Sequence, residues 1–354
     1  MFTSPPLRDL GWTTALEVTF DDTVEALRAA WDASDSSDVA AEWLPGRVGR
    51  VDRGESDVFT ADGPRRVYSD SQRSQDSMAP ATGDWVVVRD DDQQGAVIAQ
   101  ILDRSTAIVR RDPSEQVVEQ VLVANADIVG VVQGLDQEVN IARIERFLVL
   151  AWDSGATPLI VLTKSDALTP HEVDAAVEQV AAITDTEVLA TSIIDGHGLD
   201  ALREAVAEST LVLIGPSGAG KSSLVNALVG DEVQATAEVR EGDAKGRHTT
   251  VSRDLIPLPG GGVLIDTPGV RAVGVWAADV ALDRVFADIA DLAEQCRFRD
   301  CTHRSEPGCA IQAAIAEGAL SAARLERYHA LWDEITTQAE HAEQRHWRRR
   351  KRRR

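Results

Sequence analysis

Two different spacings of hydrophobic and polar residues divide the chain. Between residues 46 and 112, short runs that alternate between apolar and polar positions, such as 85–89 and 96–102, are separated by clusters of Gly, Asp and Ser. This spacing predicts a small all-β barrel or sandwich. The acidic segment before it has a helical pattern over 23–32 and is interpreted as an extension whose order the sequence leaves open.

From residue 126 onward, apolar runs of strand length alternate with segments of helical period. The predicted strands are 128–132, 159–162, 188–190, 211–214 and 263–265, and the predicted helices include 141–152 and 171–183. This alternation predicts a parallel sheet with helices on both faces. After residue 277 the pattern is helical, and an apolar stripe at helical spacing is expected to face a core. The stripe consists of Leu325, Tyr328, Leu331, Trp332 and Ile335.

A phosphate-binding loop lies between the strand 211–214 and the helical pattern that follows it. The segment matches Gly-x-x-x-x-Gly-Lys-Ser with a strand before it and a helix after it, which is the context that confirms the motif. Backbone amides and the helix N-terminus attract phosphate, Lys221 reaches the β and γ phosphates, and Ser222 ligates magnesium. The candidate residues are Gly215, Pro216, Ser217, Gly218, Ala219, Gly220, Lys221, Ser222 and Ser223.

A candidate base-recognition element follows the strand 159–162. Its residues Thr163, Lys164, Ser165 and Asp166 resemble the Asn/Thr-Lys-x-Asp element of GTPases. Asp166 would accept two hydrogen bonds from guanine, which adenine cannot reproduce, and Lys164 would lay its aliphatic stem along the base. Thr163 stands where asparagine is commoner. The next strand leads into a pair that resembles the short Ser-Ala type of guanine element, Thr191 and Ser192.

Two further segments resemble GTPase switches. Residues 246–250, with His248, Thr249 and Thr250, form a candidate first switch, and Asp266 and Gly269 form an Asp-x-x-Gly element. Asp266 would hold the magnesium shell through water, and the Gly269 amide would sense the γ phosphate. The base elements come before the phosphate loop here, whereas ordinary GTPases place them last. A circular permutation explains that order.

The net charge and the lack of a long apolar run argue against a generally nucleic-acid-binding surface and against a membrane protein. The chain has 36 basic and 58 acidic residues, and its net charge of -22 excludes nucleic-acid binding over the whole surface. RNA contacts are therefore expected only locally, on a barrel face or in the basic tail 345–354. A purely structural barrel and a solubilising tail are the alternatives. No apolar run approaches the roughly 18 residues of a membrane helix, and we expect a cytoplasmic protein without a membrane partner.

The three cysteines of the chain form a candidate metal site with one histidine. Cys296, Cys301, His303 and Cys309 follow the spacing Cys-x4-Cys-x-His-x5-Cys. Three thiolates and one imidazole suit tetrahedral zinc, and four protein ligands leave no position for a reactive water. The site is therefore expected to be structural. Its alternative is a set of buried cysteines beside an unrelated histidine.

The permuted motifs, the segment 83–86 (Gly-Asp-Trp-Val) and the Cys/His site together resemble the ribosome small-subunit-dependent GTPase A (RsgA/YjeQ) family of circularly permuted GTPases. The resemblance implies an N-terminal OB-fold barrel, a central permuted P-loop GTPase domain and a C-terminal helical zinc domain. The corresponding divisions are an acidic extension (1–43), the barrel (44–115), the GTPase domain (116–277), the zinc domain (278–344) and a basic tail (345–354). The resemblance also implies GTP hydrolysis with Mg²⁺, stimulated by the small ribosomal subunit, late in that subunit's maturation.

Three functional hypotheses follow. The leading one is a GTPase that binds rRNA and acts, as a monomer, in maturation of the small subunit. The position that holds the water-orienting glutamine of Ras-like GTPases is Val270 here, so His248 is the candidate for orienting water. The second hypothesis is an RNA-binding scaffold with a structural, non-hydrolysed nucleotide, and the third is an ATP-dependent enzyme.

Overall fold

The computed structural model describes residues 5–32, 41–69, 79–91, 95–111, 119–230, 253–266 and 279–352. Within these residues the chain forms a barrel, a six-stranded sheet with helices, and a C-terminal group of helices. None of the helices in those ranges combines the length and apolar character that crossing a membrane requires.

The N-terminal barrel consists of five strands that close in the order β1-β2-β3-β5-β4. Alternate side chains fill its interior, among them Val48, Val58 and Val88. This arrangement confirms the predicted OB-type barrel. Its strands are β1 Ala41–Val51, β2 Glu55–Thr60, β3 Gly63–Ser69, β4 Trp85–Asp91 and β5 Gly95–Ile101.

The N-terminal extension packs on the outside of the barrel. A 3-10 helix, Leu7–Leu10, is followed by α1, Thr14–Asp32, which begins nine residues before the predicted helix. Phe20 and Val24 of α1 are buried, and the ring centroid of Trp12 lies 5.1 Å from that of Trp85. The apolar stripe of α1 therefore has a partner, which explains the order of a segment whose polar composition left the question open.

The arginines of the barrel segment are in part structural. Arg47 is 1% exposed and donates hydrogen bonds to the Asn125 carbonyl (3.1 Å) and to Thr210 Oγ1 (2.9 Å), both outside the barrel. Burial lowers the pKa of Arg47 to about 10, and the charges of Asp127 and Asp84 act in the opposite direction. This side chain therefore joins the barrel to the following domain and does not face RNA.

A six-stranded sheet in the order β10-β9-β8-β11-β13-β12 forms the centre of the molecule. The first five are parallel, whereas β12, which the sequence analysis missed, runs antiparallel to β13. A separate antiparallel hairpin, β6 Ala107–Arg111 with β7 Glu119–Ala124, precedes the sheet. The sheet strands are β8 Ile128–Gly134, β9 Thr157–Thr163, β10 Val188–Ala190, β11 Thr210–Ile214, β12 Asp254–Pro257 and β13 Val263–Asp266.

Helices cover both faces of the sheet, as predicted. Successive residues of β9 contribute to two different cores: Ile160 packs in the core that contains α2 and α3, and Val161 packs in the core that contains α4 and α5. The Asn140 side chain caps α2, and Thr169 and Glu172 form a capping box at the start of α3. The helices are α2 Ile141–Asp153, α3 Pro170–Ala181, α4 Leu199–Ala205 and α5 Lys221–Val229.

The C-terminal helices share a core with the sheet domain. Of the predicted stripe on α9, Leu325, Leu331 and Ile335 are buried, whereas Trp332 is 36% exposed at the rim. Buried Glu145 of α2 accepts hydrogen bonds from Arg324 (2.6 Å) and Arg327 (2.7 Å) of α9, which ties the two domains together. The helices are α6 Asp279–Val285, α7 Ala287–Ala293, α8 Ala310–Ala316 and α9 Ala322–Arg352.

Candidate nucleotide-binding and metal-binding sites

The sheet has a topological switch point between β8 and β11. From β8 the chain moves outward through β9 to β10, then returns to place β11 on the other side of β8, followed by β13. In open sheets of parallel strands, ligands bind at the carboxyl ends of the strands beside such a point. The phosphate loop and the base-recognition element both begin at this edge, because they follow β11 and β9.

The phosphate loop has the backbone conformation that its glycines permit. Gly218 (φ 79°) and Gly220 (φ 88°) lie in the left-handed region, which glycine adopts without steric cost. At Gly215 a Cβ atom would lie 2.4 Å from the Val132 carbonyl oxygen, so the close approach of the loop to β8 requires glycine. Helix α5 begins directly after the loop at Lys221, and its N-terminal amides therefore lie at the loop.

Lys221 curls back over the loop. Its Nζ donates hydrogen bonds to the carbonyls of Gly215 (2.8 Å) and Pro216 (2.6 Å). Ser222 and Ser223 lie in the first turn of α5. The ammonium group, the helix N-terminus and the hydroxyl groups are thus collected in one place, which is the chemistry that binds a polyphosphate.

Direct contacts join the base-recognition element to the phosphate loop. The buried Thr163 donates from Oγ1 to the Ala219 carbonyl at 2.6 Å, and Lys164 donates from Nζ to the Gly218 carbonyl at 2.7 Å. At Gly220 a Cβ atom would lie 3.1 Å from Thr163 Oγ1, so the loop has little room for any other residue here. The two motifs, about fifty residues apart in the chain, form one site.

Asp166 of the base-recognition element contacts Ser192 of the second predicted guanine element. Ser192 Oγ donates to Asp166 Oδ1 at 2.7 Å, and the Ser165 amide donates to the Thr191 carbonyl at 3.1 Å. Asp166 itself is exposed, whereas Thr163, Thr191 and Ser192 are buried. The carboxylate that would read guanine is therefore oriented by a neighbouring hydroxyl and remains accessible.

One charged residue of the site, Asp136, was not predicted from the sequence. Asp136 lies two residues beyond the carboxyl end of β8, and its Oδ2 is 2.7 Å from Lys164 Nζ. Its place in the sequence, shortly after a predicted strand, could have indicated this, because the residues that follow parallel strands all lie at the same edge of the sheet. The position belongs to none of the recognised motifs, so no spacing of residues along the chain predicts its role.

The switch residues are described only in part. Asp266 is the last residue of β13, the strand beside β11, and is half-buried at the same edge of the sheet as the phosphate loop. The predicted residues His248, Thr249, Thr250 and Gly269, and Val270 after them, lie outside the described residues.

A cavity of about 560 Å³ lies elsewhere, near the first residues of β8 and β9. Its lining includes Ile128, Thr157 and Trp152, with the guanidinium carbon of Arg284 3.3 Å from the Trp152 ring centroid. The phosphate loop follows the opposite end of the strands. The nucleotide site is therefore identified by the residues at the sheet edge and not by cavity volume.

The predicted metal ligands converge in the C-terminal domain. One candidate ligand atom from each of Cys296, Cys301, His303 and Cys309 lies within 4.8 Å of the others. His303 Nδ1 is 3.6 Å from the sulfurs of Cys296 and Cys309, which are 3.9 Å apart. Burial lowers the pKa of His303, which favours the neutral imidazole that binds metals. The cluster can hold a metal ion.

A phosphate loop at the switch point, a base-recognition element joined to it and a rotated order of motifs define a circularly permuted P-loop GTPase. The sequence profile of the RsgA GTPase family matches residues 101–276. The chain belongs to this family, since a relative is 50% identical over 295 residues, covering 82% of this chain and 80% of the relative. That relative is "Small ribosomal subunit biogenesis GTPase RsgA" of Streptomyces coelicolor.

A more distant relative and two solved structures are consistent with membership of this family. The protein of the same name from Methanosarcina acetivorans is 41% identical, covering 75% of this chain and 72% of its own length. The crystal structure of YjeQ from Thermotoga maritima is 25% identical with a TM-score of 0.61, covering 83% of this chain and 99% of that one. YloQ, described as a circularly permuted GTPase, has the same fold with 22% identity and a TM-score of 0.60, covering 84% and 96% of the two chains.

Proposed function

We propose that the protein binds GTP and hydrolyses it to GDP and phosphate during biogenesis of the small ribosomal subunit. The observation that carries the proposal is the pair of contacts from Thr163 and Lys164 to the carbonyls of the phosphate loop. A site that binds only phosphate has no need of a base-recognition element bonded to it. The printed names of the relatives, which are small ribosomal subunit biogenesis GTPases, support the assignment of the process.

In this proposal each motif has one role. Asp166 accepts hydrogen bonds from guanine, Lys164 lies along the base, and the loop 215–223 holds the phosphates. Ser222 and Asp266, with Thr249 or Thr250, are the residues that would hold magnesium, and the ion would neutralise phosphate charge when bound. Their position supports this, because Ser222 follows β11 and Asp266 ends the adjacent strand β13.

Hydrolysis by the isolated protein is proposed to be slow. Val270 cannot orient water, because its side chain has no hydrogen-bonding group. We assign that task to His248 of the first switch, whose imidazole can bond to water. Docking on the small subunit would then arrange the switch and stimulate turnover.

The metal is proposed to be one structural zinc ion. In a tetrahedral zinc site with Zn–S bonds of about 2.3 Å, neighbouring sulfurs are about 3.8 Å apart, and the Cys296 and Cys309 sulfurs are 3.9 Å apart. Four protein ligands leave no open position for a water, so the ion would stabilise the domain and take no part in hydrolysis.

The proposed partner is the rRNA of the small subunit, and the proposed place is the cytoplasm, which agrees with the role in small-subunit biogenesis that the names of the relatives give. With a net charge of -22, the protein would contact RNA only through local basic surfaces. We propose that the protein acts as a monomer, because the phosphate loop and the base-recognition element, as far as the structure describes the site, meet within one chain.

Phosphate release from GTP, measured with and without purified small subunits, tests the proposal. Wild-type protein is expected to turn over slowly alone and faster with subunits, and ATP is expected not to compete with GTP. His248→Ala is expected to lose the stimulation while its GTP affinity is unchanged. Nucleotide binding without release under either condition would support the scaffold hypothesis instead, and unchanged turnover of His248→Ala would remove that residue from the mechanism.

A further inference from the structure

Asp136 forms an ion pair inside the nucleotide site, and no motif assigns it a role. Its Oδ2 lies 2.7 Å from Nζ of Lys164, and the same Nζ donates to the Gly218 carbonyl at 2.7 Å. The ammonium group is therefore held from two sides, by the residue that follows β8 and by the phosphate loop. Two anchors remove most of the freedom of a long and flexible side chain.

The backbone around this pair is arranged to bring the two residues together. The Leu135 amide donates to the Thr163 carbonyl at 2.9 Å, which keeps the segment after β8 beside the segment after β9. At Gly134 a Cβ atom would lie 2.6 Å from Asp136 Oδ1, so the carboxylate in this position lies close against the glycine backbone and would have to shift for a larger residue. The backbone of Lys164 itself has φ 60°, a left-handed conformation that residues other than glycine rarely adopt.

A stabilising role for the fold does not account for this arrangement. The side chains of Lys164 and Asp136 are 35% and 38% exposed, and ion pairs at such exposure contribute little to stability. A carboxylate is also unfavourable by charge alone beside a loop that attracts an anionic ligand. Its benefit must therefore come from what it does to Lys164.

We propose that Asp136 is a positioning residue for the guanine nucleotide. It holds the ammonium of Lys164 against the phosphate loop, so that the aliphatic stem of Lys164 forms one fixed wall of the base pocket before the nucleotide arrives. This inference rests on the proposed GTP-binding function. Preorganisation of this kind slows nucleotide release without contributing to the chemical step.

The test compares two variants that remove one negative charge from the same loop. Asp136→Asn removes the anchor, and Glu138→Gln, two residues farther along and exposed, is the matched control. Asp136→Asn is expected to raise the dissociation constant of GDP about fivefold, the upper end of what a partly exposed ion pair contributes. The change should appear in the dissociation rate of fluorescent GDP and in KM for GTP, with kcat and the melting temperature unchanged. Glu138→Gln is expected to leave GDP binding unchanged or slightly tighter.

A double-mutant cycle with Lys164→Met separates positioning from a general charge effect. If Asp136 acts through Lys164, Asp136→Asn should have no further effect on GDP affinity in the Lys164→Met background. Unchanged or tighter GDP binding by Asp136→Asn, or an equal loss in both backgrounds, would overturn the inference. If the wild-type protein itself did not bind GDP, the proposed function would fail, which is a different outcome from a wild-type protein and an Asp136→Asn variant that bind equally well.

Discussion

Thr163 is the residue at which this base-recognition element departs from the commoner asparagine. Its single hydroxyl donates to the Ala219 carbonyl at 2.6 Å, in a position that is 5% exposed. The shorter side chain therefore still connects the element to the phosphate loop. Specificity for guanine is assigned to Asp166, so the role of Thr163 concerns how tightly the nucleotide is held.

Removal of that hydroxyl should weaken nucleotide binding. Thr163→Val keeps the shape of the side chain but leaves a buried carbonyl without its donor, which costs about 1–3 kcal/mol. We expect GDP affinity measured by calorimetry to fall about tenfold, whereas Thr163→Ser, which keeps the hydroxyl, should bind nearly as the wild type does. Equal affinities of Thr163→Val and the wild type would show that the contact has no bearing on the nucleotide.

Among the elements, the short C-terminal helices depend most on stabilisation from outside the helix itself. Helices α6, α7 and α8 have seven residues each, a length at which isolated helices are not stable in water. The segment between α7 and α8 contains the four metal ligands. A bound ion would hold the end of α7 and the start of α8 together from within the domain.

Removal of the metal should therefore unfold this region first. Structural zinc contributes on the order of 10 kcal/mol to the folding of small domains. We expect one zinc ion per chain by elemental analysis, and a chelator or Cys301→Ser should lower the melting temperature and the helical circular-dichroism signal. GDP binding should be affected far less, because its residues lie on the central sheet. A zinc-free protein with an unchanged melting curve would contradict the structural role.

At the scale of the whole molecule, the charge is divided unevenly. The net charge is -22, yet eight of the last ten residues are arginine or lysine. Helix α9 continues to Arg352, 17 residues beyond the buried Ile335, which corresponds to about 25 Å of helix. Six of these eight basic residues, those between 345 and 352, therefore belong to a helix that begins in the C-terminal core.

This arrangement predicts that the tail binds rRNA phosphates. Deletion of residues 345–354 should weaken binding to small subunits at low salt and flatten the dependence of affinity on salt, because fewer counterions are released. Affinities of the full chain and of the truncated chain, measured at two salt concentrations, check this. GTP binding is the control and should be unchanged. Parallel salt dependences of the two proteins would assign the tail a solubilising role.

The sequence predicted those elements whose periodicity is visible in their own residues, and it failed where an element depends on what it packs against. The strand 188–190 and helix α2 were predicted within one residue of their observed ends, because buried strands and amphipathic helices have clear periodicity. The start of α1 was missed by nine residues, and β12 was missed altogether. The apolar positions of α1 are explained only by the barrel against which it packs. Strand β12 has four residues at the edge of the sheet, which is too short for a clear periodicity.

The amino-acid sequence by itself determined the class of protein, since the phosphate loop, the base-recognition element and the Cys/His spacing each require particular residues at particular distances along the chain. Only the tertiary structure decided which residues meet. The contact of Thr163 with Ala219, the pairing of Asp136 with Lys164 and the burial of Arg47 all join parts of the chain that are far apart in sequence. The physical reason for the first two contacts is that parallel strands bring their carboxyl ends to one edge, so distant loops become neighbours only when the sheet forms. Arg47 instead meets Asn125 and Thr210 at the amino ends of β8 and β11, where the barrel packs against the sheet domain.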